Sequence, residues 1–295
     1  MKFATTPARP LITLGLSLAV GATVLGAPAA AAAPPEGAYW HTRTLTTTTH
    51  AWQFGTASDS YSLAQQEIVE RWRAPDGRSW FGYRELGTLP KSAADKKAWQ
   101  RDGSPSRWSG SIDGKTVKLS TQPSKGILDP VQQQSSFELA GQQLTYDEVQ
   151  RLPADPNRLK DWLTRASRVR QVPEDSIGSS LTATLPEILY ALPAPKEVRA
   201  AAYTVLLTMP GVRADGNAKD SLGRSGTAVL VDRKSEGKST TSSRVRLVVD
   251  TGRMVLLSRA GTVTANGKAL VPKSFDHTLI EVGWTNSQPA VPALP

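Results

Sequence analysis

The sequence predicts an α+β domain built on one antiparallel sheet with helices on one face. Three observations lead there: polar–apolar alternation toward both ends of the chain, helical spacing of apolar residues in its middle, and Asp-Gly or Asn-Gly turns where strands meet. Hairpin joins of this kind make neighbouring strands antiparallel, whereas parallel strands need long crossovers.

The chain opens with an address. Lys2 and Arg9 precede an apolar run of 16 residues, Leu11 to Gly26, and a small-residue stretch from Ala27 to Ala33 that ends at Pro34. Charge, apolar run and Ala-x-Ala follow the order of a cleavable secretory signal. Proline directly after a cut is poorly tolerated, which places cleavage between Ala32 and Ala33. Residues 1–32 are then the signal peptide and 33–285 a single domain. An uncleaved anchor would need roughly 20 apolar residues, and this run is shorter and carries Gly15, Gly21 and Gly26. A lipid anchor would need a cysteine, and the chain has none, so the fold rests on its apolar core without disulfides. The expectation is a secreted, extracytoplasmic protein, soluble after signal cleavage. Its formal charge of +9 falls to +7 once Lys2 and Arg9 leave. Outside the cytosol nucleic acid is not an expected partner; anionic cell-wall polymers, lipid headgroups or an envelope protein are.

Tyr39, His41, Arg43 and Leu45 alternate with Trp40, Thr42, Thr44 and Thr46 in a first strand. Glu67 to Arg73 and Ser79 to Leu86 read as strands joined through Asp76-Gly77, and Arg107 to Ile112 and Lys115 to Ser120 as strands joined through Asp113-Gly114, with a short helix around Ala93 to Arg101 before the second pair. At Asp155-Pro156 an N-cap acid and a first-turn proline open a helix with Leu159, Trp162, Leu163, Ala166 and Val169 on one stripe. A second helix carries Leu185, Ile188, Leu189 and Leu192; Pro186 places its start near Thr184, where Glu187 completes a capping box. A third begins at Pro195, sets Val198, Ala201, Ala202, Val205 and Met209 on one face and stops at Pro210-Gly211. Sheet patterning resumes at Gly226 to Arg233, Arg244 to Asp250 and Arg253 to Arg259, the last two joined by Asp250-Thr251-Gly252. A further hairpin is expected at Asn266-Gly267 and a last strand around Leu279 to Trp284. The tail, residues 286–295, holds three prolines and is expected to be disordered.

The sequence offers little chemistry. His41, His50 and His277 lack zinc-site spacing, so no metal and no cofactor are expected. Ser111 lies near Gly110 and Gly114 but not in the Gly-x-Ser-x-Gly turn of a serine nucleophile, and no phosphate-cradling glycine loop is present. Asp147-Glu148 and Glu174-Asp175 read as solvated helix faces, because adjacent helical residues point apart. No catalytic residue is assigned and the chain reads as not an enzyme; a hydrolase would require Ser, His and Asp to converge from distant segments. The aromatics say more. Trp72, Trp80, Phe81 and Tyr83 cluster on one expected hairpin, with Trp40, Trp108 and Trp162 on nearby elements; they either line a ligand cavity or fill the core. Arg165 and Arg168, followed by Arg170, sit where cations complement the carbonyl end of a helix. Arg244 and Arg246 alternate with Val245 and Leu247 and so face solvent. Arg165, Arg168, Arg244 and Arg246 are the candidates for contact with an anionic surface.

One ordered series is more specific than any single motif: Leu152-Pro153-Ala154-Asp155-Pro156 with Leu159, Trp162 and Leu163, then Leu185 to Leu192, then Pro195, Arg199, Ala200, Ala201, Tyr203 and Met209-Pro210-Gly211-Val212, and finally Asp250-Thr251-Gly252. It resembles an uncharacterised exported actinobacterial family, over roughly Tyr39 to Arg259. Members are often encoded beside sigma factors, and many carry a cytosolic segment and a membrane helix where this chain begins with a signal. The strand, helix, strand order is also similar to the half-open barrel of lipoprotein-carrier and lipoprotein-sensor (LolA-like) domains. That likeness implies a strongly bent antiparallel sheet wrapped on a central group of about three helices, with an apolar or lipid-like ligand between them. The expectation is a secreted, non-enzymatic binding or sensing protein; the alternative is a cell-envelope protein-interaction module that uses a basic surface and has no ligand cavity.

Overall fold

In a computed structural model the described residues are 35–50, 53–112, 115–131, 137–235, 241–265, 268–270 and 274–295. The expected signal peptide and the Asp113-Gly114 and Asn266-Gly267 turns lie outside them. β-Branched threonines favour the extended pleat of β1, Tyr39–Thr49. The short β2 (Phe54–Gly55) and β3 (Ser60–Tyr61) precede β4 (Leu63–Arg73) and β5 (Ser79–Pro90). These two join at Asp76-Gly77, where Gly77 takes the positive φ of 101° that the turn demands. Next come α1 (Ala93–Arg101), capped by the Ser92 hydroxyl, and β6 (Arg107–Ile112), β7 (Lys115–Ser120), β8 (Ile127–Val131), β9 (Phe137–Leu139) and β10 (Gln142–Leu144). The helices α2 (Tyr146–Gln150), α3 (Pro156–Val169), α4 (Glu174–Ile188) and α5 (Lys196–Leu207) form the middle of the chain. It ends with β11 (Val212–Lys219), β12 (Ser225–Ser235), β13 (Thr241–Asp250), β14 (Val255–Ala265), β15 (Lys268–Ala269) and β16 (Phe275–Thr285).

The fold is α+β. Nine strands make one antiparallel sheet in the order β11-β12-β13-β14-β16-β1-β4-β5-β8, and β15 pairs with β14 off this path. The ends of this order are not paired with each other among the described residues, so no closed barrel forms. The terminal strands meet at its centre, where Trp40 pairs with Trp284 and Thr42 with Val282. The expected hairpin of β6 and β7 exists, but not as part of that sheet. It forms its own ladder and, with α1 and β3, encloses a small second core of Tyr61, Leu63, Ala98, Trp108 and Leu119.

Helix α3 starts as its sequence dictates: the Asp155 carboxylate accepts from Arg158 N and Pro156 occupies the first turn. Leu159, Leu163 and Ala166 are buried, but Val169 is 71% exposed and Ser167 takes the inward position. The stripe therefore turns off Val169 in the last turn. The expected start of the second helix near Thr184 is also corrected. α4 begins ten residues earlier, at Glu174, and contains Pro186. Gly178 and the run of serines and threonines are poor helix formers, but Ile177, Leu181, Leu185 and Ile188 recur at helical spacing and all are buried. Burial of that stripe outweighs propensity, and the proline falls in the last turn. These residues join α3, α5, Trp40, Val229, Val231, Leu247, Val249, Leu256 and Leu279 in the main core.

Strand register then sorts the other side chains. On the face toward the helices, termed inner here, stand Trp40, Thr42, Arg71, Arg73, Phe81 and Tyr83; the opposite, outer face carries Tyr39, His41, Arg43, Glu70, Trp72 and Trp80. The tail expected to be disordered lies across that outer face. The Tyr39 hydroxyl donates to Gln288 Oε1 at 3.0 Å, Arg43 Nη2 donates to the Ala293 carbonyl at 2.7 Å, and Pro292 is buried. The prediction from this packing is specific: Leu163→Ala should cost about 2–5 kcal/mol, whereas Val169→Ala should change stability by no more than about 0.5 kcal/mol. Urea midpoints with an unchanged denaturant slope would measure both.

Candidate functional site

The inner face of the sheet is not uniform. Beneath the helices β12, β13 and β14 present Val229, Val231, Leu247, Val249 and Leu256, all buried. Across β1, β4 and β5 the same face turns polar. Here the sheet and α4 leave a cleft of about 500 Å³ lined by Thr42, Arg71, Arg73, Arg170, Glu187 and Tyr190, among others. Each residue arrives by a different route. Arg71 and Arg73 alternate along β4, Glu187 sits in the last turn of α4, and Arg170 is the C-cap of α3. Gly141, at φ 73°, leaves room for the Arg170 stem, since a Cβ there would collide with it.

The electrostatics of this region are lopsided. Arg73 donates through Nη1 to the Ala191 carbonyl at 2.9 Å, and burial pushes its pKa down to about 10, with Arg71 adding to the effect. Arg233 donates to the Ser179 carbonyl of α4, and burial followed by the charge of Arg259 lowers its pKa. Arg259 lies over the Phe275 ring at 5.1 Å, as Arg71 lies over Phe81 at 5.4 Å. Its buried Nε has no hydrogen-bond partner among the described residues. Against these cations stand Glu187 and Glu138. Burial raises the Glu187 pKa, an effect that Arg259, Arg73 and Arg170 oppose. Arg71, Arg73, Arg170, Arg233 and Arg259 form no ion pair among the described residues, while Arg168, Arg244 and Arg246 all do. Guanidinium groups without an ion-pair partner are suited to an anion: each carries five N–H groups in a fork that fits carboxylate or phosphate.

The residues singled out from the sequence do not converge. Trp40 anchors the core, its Nε1 donating to the Tyr190 carbonyl at 2.9 Å. Trp72 stacks on His41 at 4.8 Å and Trp80 meets Tyr39 edge-on at 5.5 Å, both on the outer face. Phe81 and Tyr83 stack at 6.5 Å on the inner face, where the Tyr83 hydroxyl donates to Glu67 at 2.9 Å; burial, then that bond, raises its pKa. Trp108 belongs to the second core, donating to the Tyr61 hydroxyl, and Trp162 packs half-buried on the main core. Phe81, under Arg71, with Tyr83 stacked on it, and Trp40, paired with Arg73, are the ones beside the cleft arginines. Arg165 is exposed, Arg168 pairs with Glu174 at 2.7 Å, Arg244 with Asp232 at 2.6 Å and Arg246 with Asp215 at 3.8 Å. These last pairs neutralise much of the basic surface expected there.

A larger groove, about 620 Å³, lies on the outer face between Leu230, Arg246, Ala260, Asp276, Thr47 and Leu89. It is the more apolar of the two, but its arginines are paired. The sequence reading missed Arg71, Arg73, Arg233 and Arg259. The alternation of Arg71 and Arg73 with Trp72 was a usable signal, because it puts both arginines on the face opposite that tryptophan. Among the described residues no cluster of His, Asp and Glu is arranged to hold a metal ion, and no helix is long and apolar enough to cross a membrane. Comparison with family models and with curated proteins found no match.

His277 supplies a test of the cleft's field. Burial, then Arg259 and Arg71, lowers its pKa from 6.5 to about 4. The unfolded chain therefore binds this proton first as pH falls, so the contribution of His277 to stability, complete above pH 6.5, is lost between pH 6.5 and 4 and levels off below. His277→Gln should flatten that part of the pH dependence, read from urea midpoints at pH 7, 5.5 and 4.

Proposed function

We propose that the protein is a secreted, non-enzymatic binding or sensing module whose cleft between sheet and α4 takes an anionic, lipid-like ligand. The single observation that carries this reading is the set of three arginines, Arg71, Arg73 and Arg170, that line the cleft without an ion-pair partner among the described residues. Arg71 and Arg170 lie exposed at its rim and Arg73 is half-buried, while the charge of Arg259 reaches Glu187 from beside the cleft. The half-buried rings of Phe81 and Tyr83, the first under Arg71, supply an apolar bed beside it. A phosphate or carboxylate headgroup on the guanidinium forks with its chain over the rings satisfies both kinds of lining. The lipid-like ligand expected from the sequence is thereby given a charge. The reading includes a sheet bent around the helices in the manner of a half-open barrel, and work outside the cytosol after signal cleavage. Anionic cell-wall polymers or an envelope protein are the partners from which such a ligand would be received.

A second reading is favoured by the outer-face groove, whose apolar lining suits an acyl chain without a headgroup. The two differ in their response to charge. Binding of a short-chain anionic phospholipid and of its zwitterionic counterpart with the same chains should be compared by calorimetry. The cleft reading expects the anionic lipid to bind more tightly, Arg71→Gln and Arg170→Gln each to weaken it about tenfold, and the zwitterionic lipid to be indifferent to both. Equal binding of the two lipids, unaffected by these substitutions but abolished by Ala260→Trp, would overturn the cleft and install the groove.

A further inference from the structure

The outer face carries a contact that the cleft does not use. Residues 286–295 run back over β1, β4, β5 and β8 as a fixed strap. Asn286 caps Ala38 N through its side-chain oxygen at 3.0 Å, Tyr39 holds Gln288, and Arg43 holds the Ala293 carbonyl. Pro292 sits against Trp72 and over Gly82, where a Cβ would stand 3.0 Å from the proline ring and equally close to Trp72. Val291 occupies the space above Gly126. Two glycines thus leave room for two consecutive tail residues.

The tail's sequence suits such a seat. Pro289, Pro292 and Pro295 recur every third residue, the repeat of a polyproline II helix; Pro292 is buried, Pro289 half-buried and Pro295 exposed. The seat has the matching composition. Trp72 and Tyr39 are buried, and Trp80 stands edge-on to Tyr39. The Arg43 guanidinium, held by Glu70 at 2.7 Å, supplies the donor for a peptide carbonyl. Glu70 is 4% exposed and is itself shared with His41 at 2.8 Å, so the donor is oriented before any peptide arrives. Aromatic flooring with one oriented donor is how proline-rich segments are recognised elsewhere in proteins, and the stiffness of the segment lowers the entropy lost on docking.

We propose that this surface is a recognition site for proline-rich segments of a partner polypeptide, and that the tail 286–295 is its built-in competitor. Tethering gives the tail an effective concentration in the millimolar range, so the site is filled in cis until the tail is loosened or a partner is concentrated beside it. Val291 and Leu294 remain 40% and 49% exposed, so these two side chains are only partly committed to the seat.

The test uses the full chain and a fluorescent peptide with the sequence of residues 286–295. Pro292→Ala in the chain should raise amide exchange across 287–294 at least tenfold and tighten apparent binding of the peptide, read by anisotropy, at least tenfold over the unaltered chain. Val291→Asp, which loosens a second contact, should give the same gain. The peptide carrying Pro292→Ala should bind at least tenfold more weakly to either variant. If the variants free the tail and no peptide binds, the site is not a recognition surface. If exchange is unchanged in both variants, or the altered peptide binds as well as the original, Pro292 is not the anchor and the proposal fails.

Discussion

The pairing of β1 with β16 is the constraint on which the remaining architecture depends. It joins the first strand of the described chain to the last, over a continuous register from Tyr39 and Thr285 to Thr47 and Asp276 with one bulge at Arg43 and Thr44. Without it the sheet separates into one piece of β11 to β14 with β16 and another of β1, β4, β5 and β8. Trp40 fastens the joint to the helices, by its bond to Tyr190 and by edge-on contact with Trp284 at 5.7 Å. Such a long-range pairing carries a large loop-closure entropy, which local hairpins and helices must offset before it forms.

Next to that joint the sheet opens. β14 and β16 are paired only from Ser258 to Gly261, and beyond this Arg224 fills the gap, donating to the carbonyls of Leu279 at 2.7 Å and Leu257 at 3.2 Å. Asp220 fixes Arg224 by accepting from both its backbone and its side chain. A charged side chain here takes the part of a missing strand contact, and the carboxylate that orients it is buried with all its bonds made. This arginine is structural because its donors are consumed, whereas Arg73 donates to one carbonyl and has no ion-pair partner among the described residues. The contrast in hydrogen bonding separates support from site among residues of one type.

Uncompensated cations cost stability, both by desolvation and by mutual repulsion. Arg71, Arg73 and Arg170 line one cleft with Glu138 and Glu187 as its acidic residues, an imbalance of charge that makes it the candidate site. The outer face shows the opposite economy: His41, Arg43 and Glu70 are nearly buried yet mutually paired, stacked under Trp72 and covered by the tail.

The sequence by itself determined the local elements. Alternation at Tyr39 to Thr46, Gly77 at its turn, the Asp155-Pro156 helix start and the Pro210-Gly211 stop are decided by a few neighbouring residues, and each is where the pattern puts it. α4 escaped because its serines and threonines argue against a helix until Ile177 and Leu181 have a core to enter. Only the tertiary structure decided which face each aromatic takes: one-residue alternation puts Trp72 and Phe81 on opposite sides of the sheet, so a cluster in sequence becomes two clusters in space. It also decided that a proline-rich tail has a seat, and that the arginines of β4 share a cleft with the C-cap of α3, since both depend on tertiary packing, which no local pattern encodes.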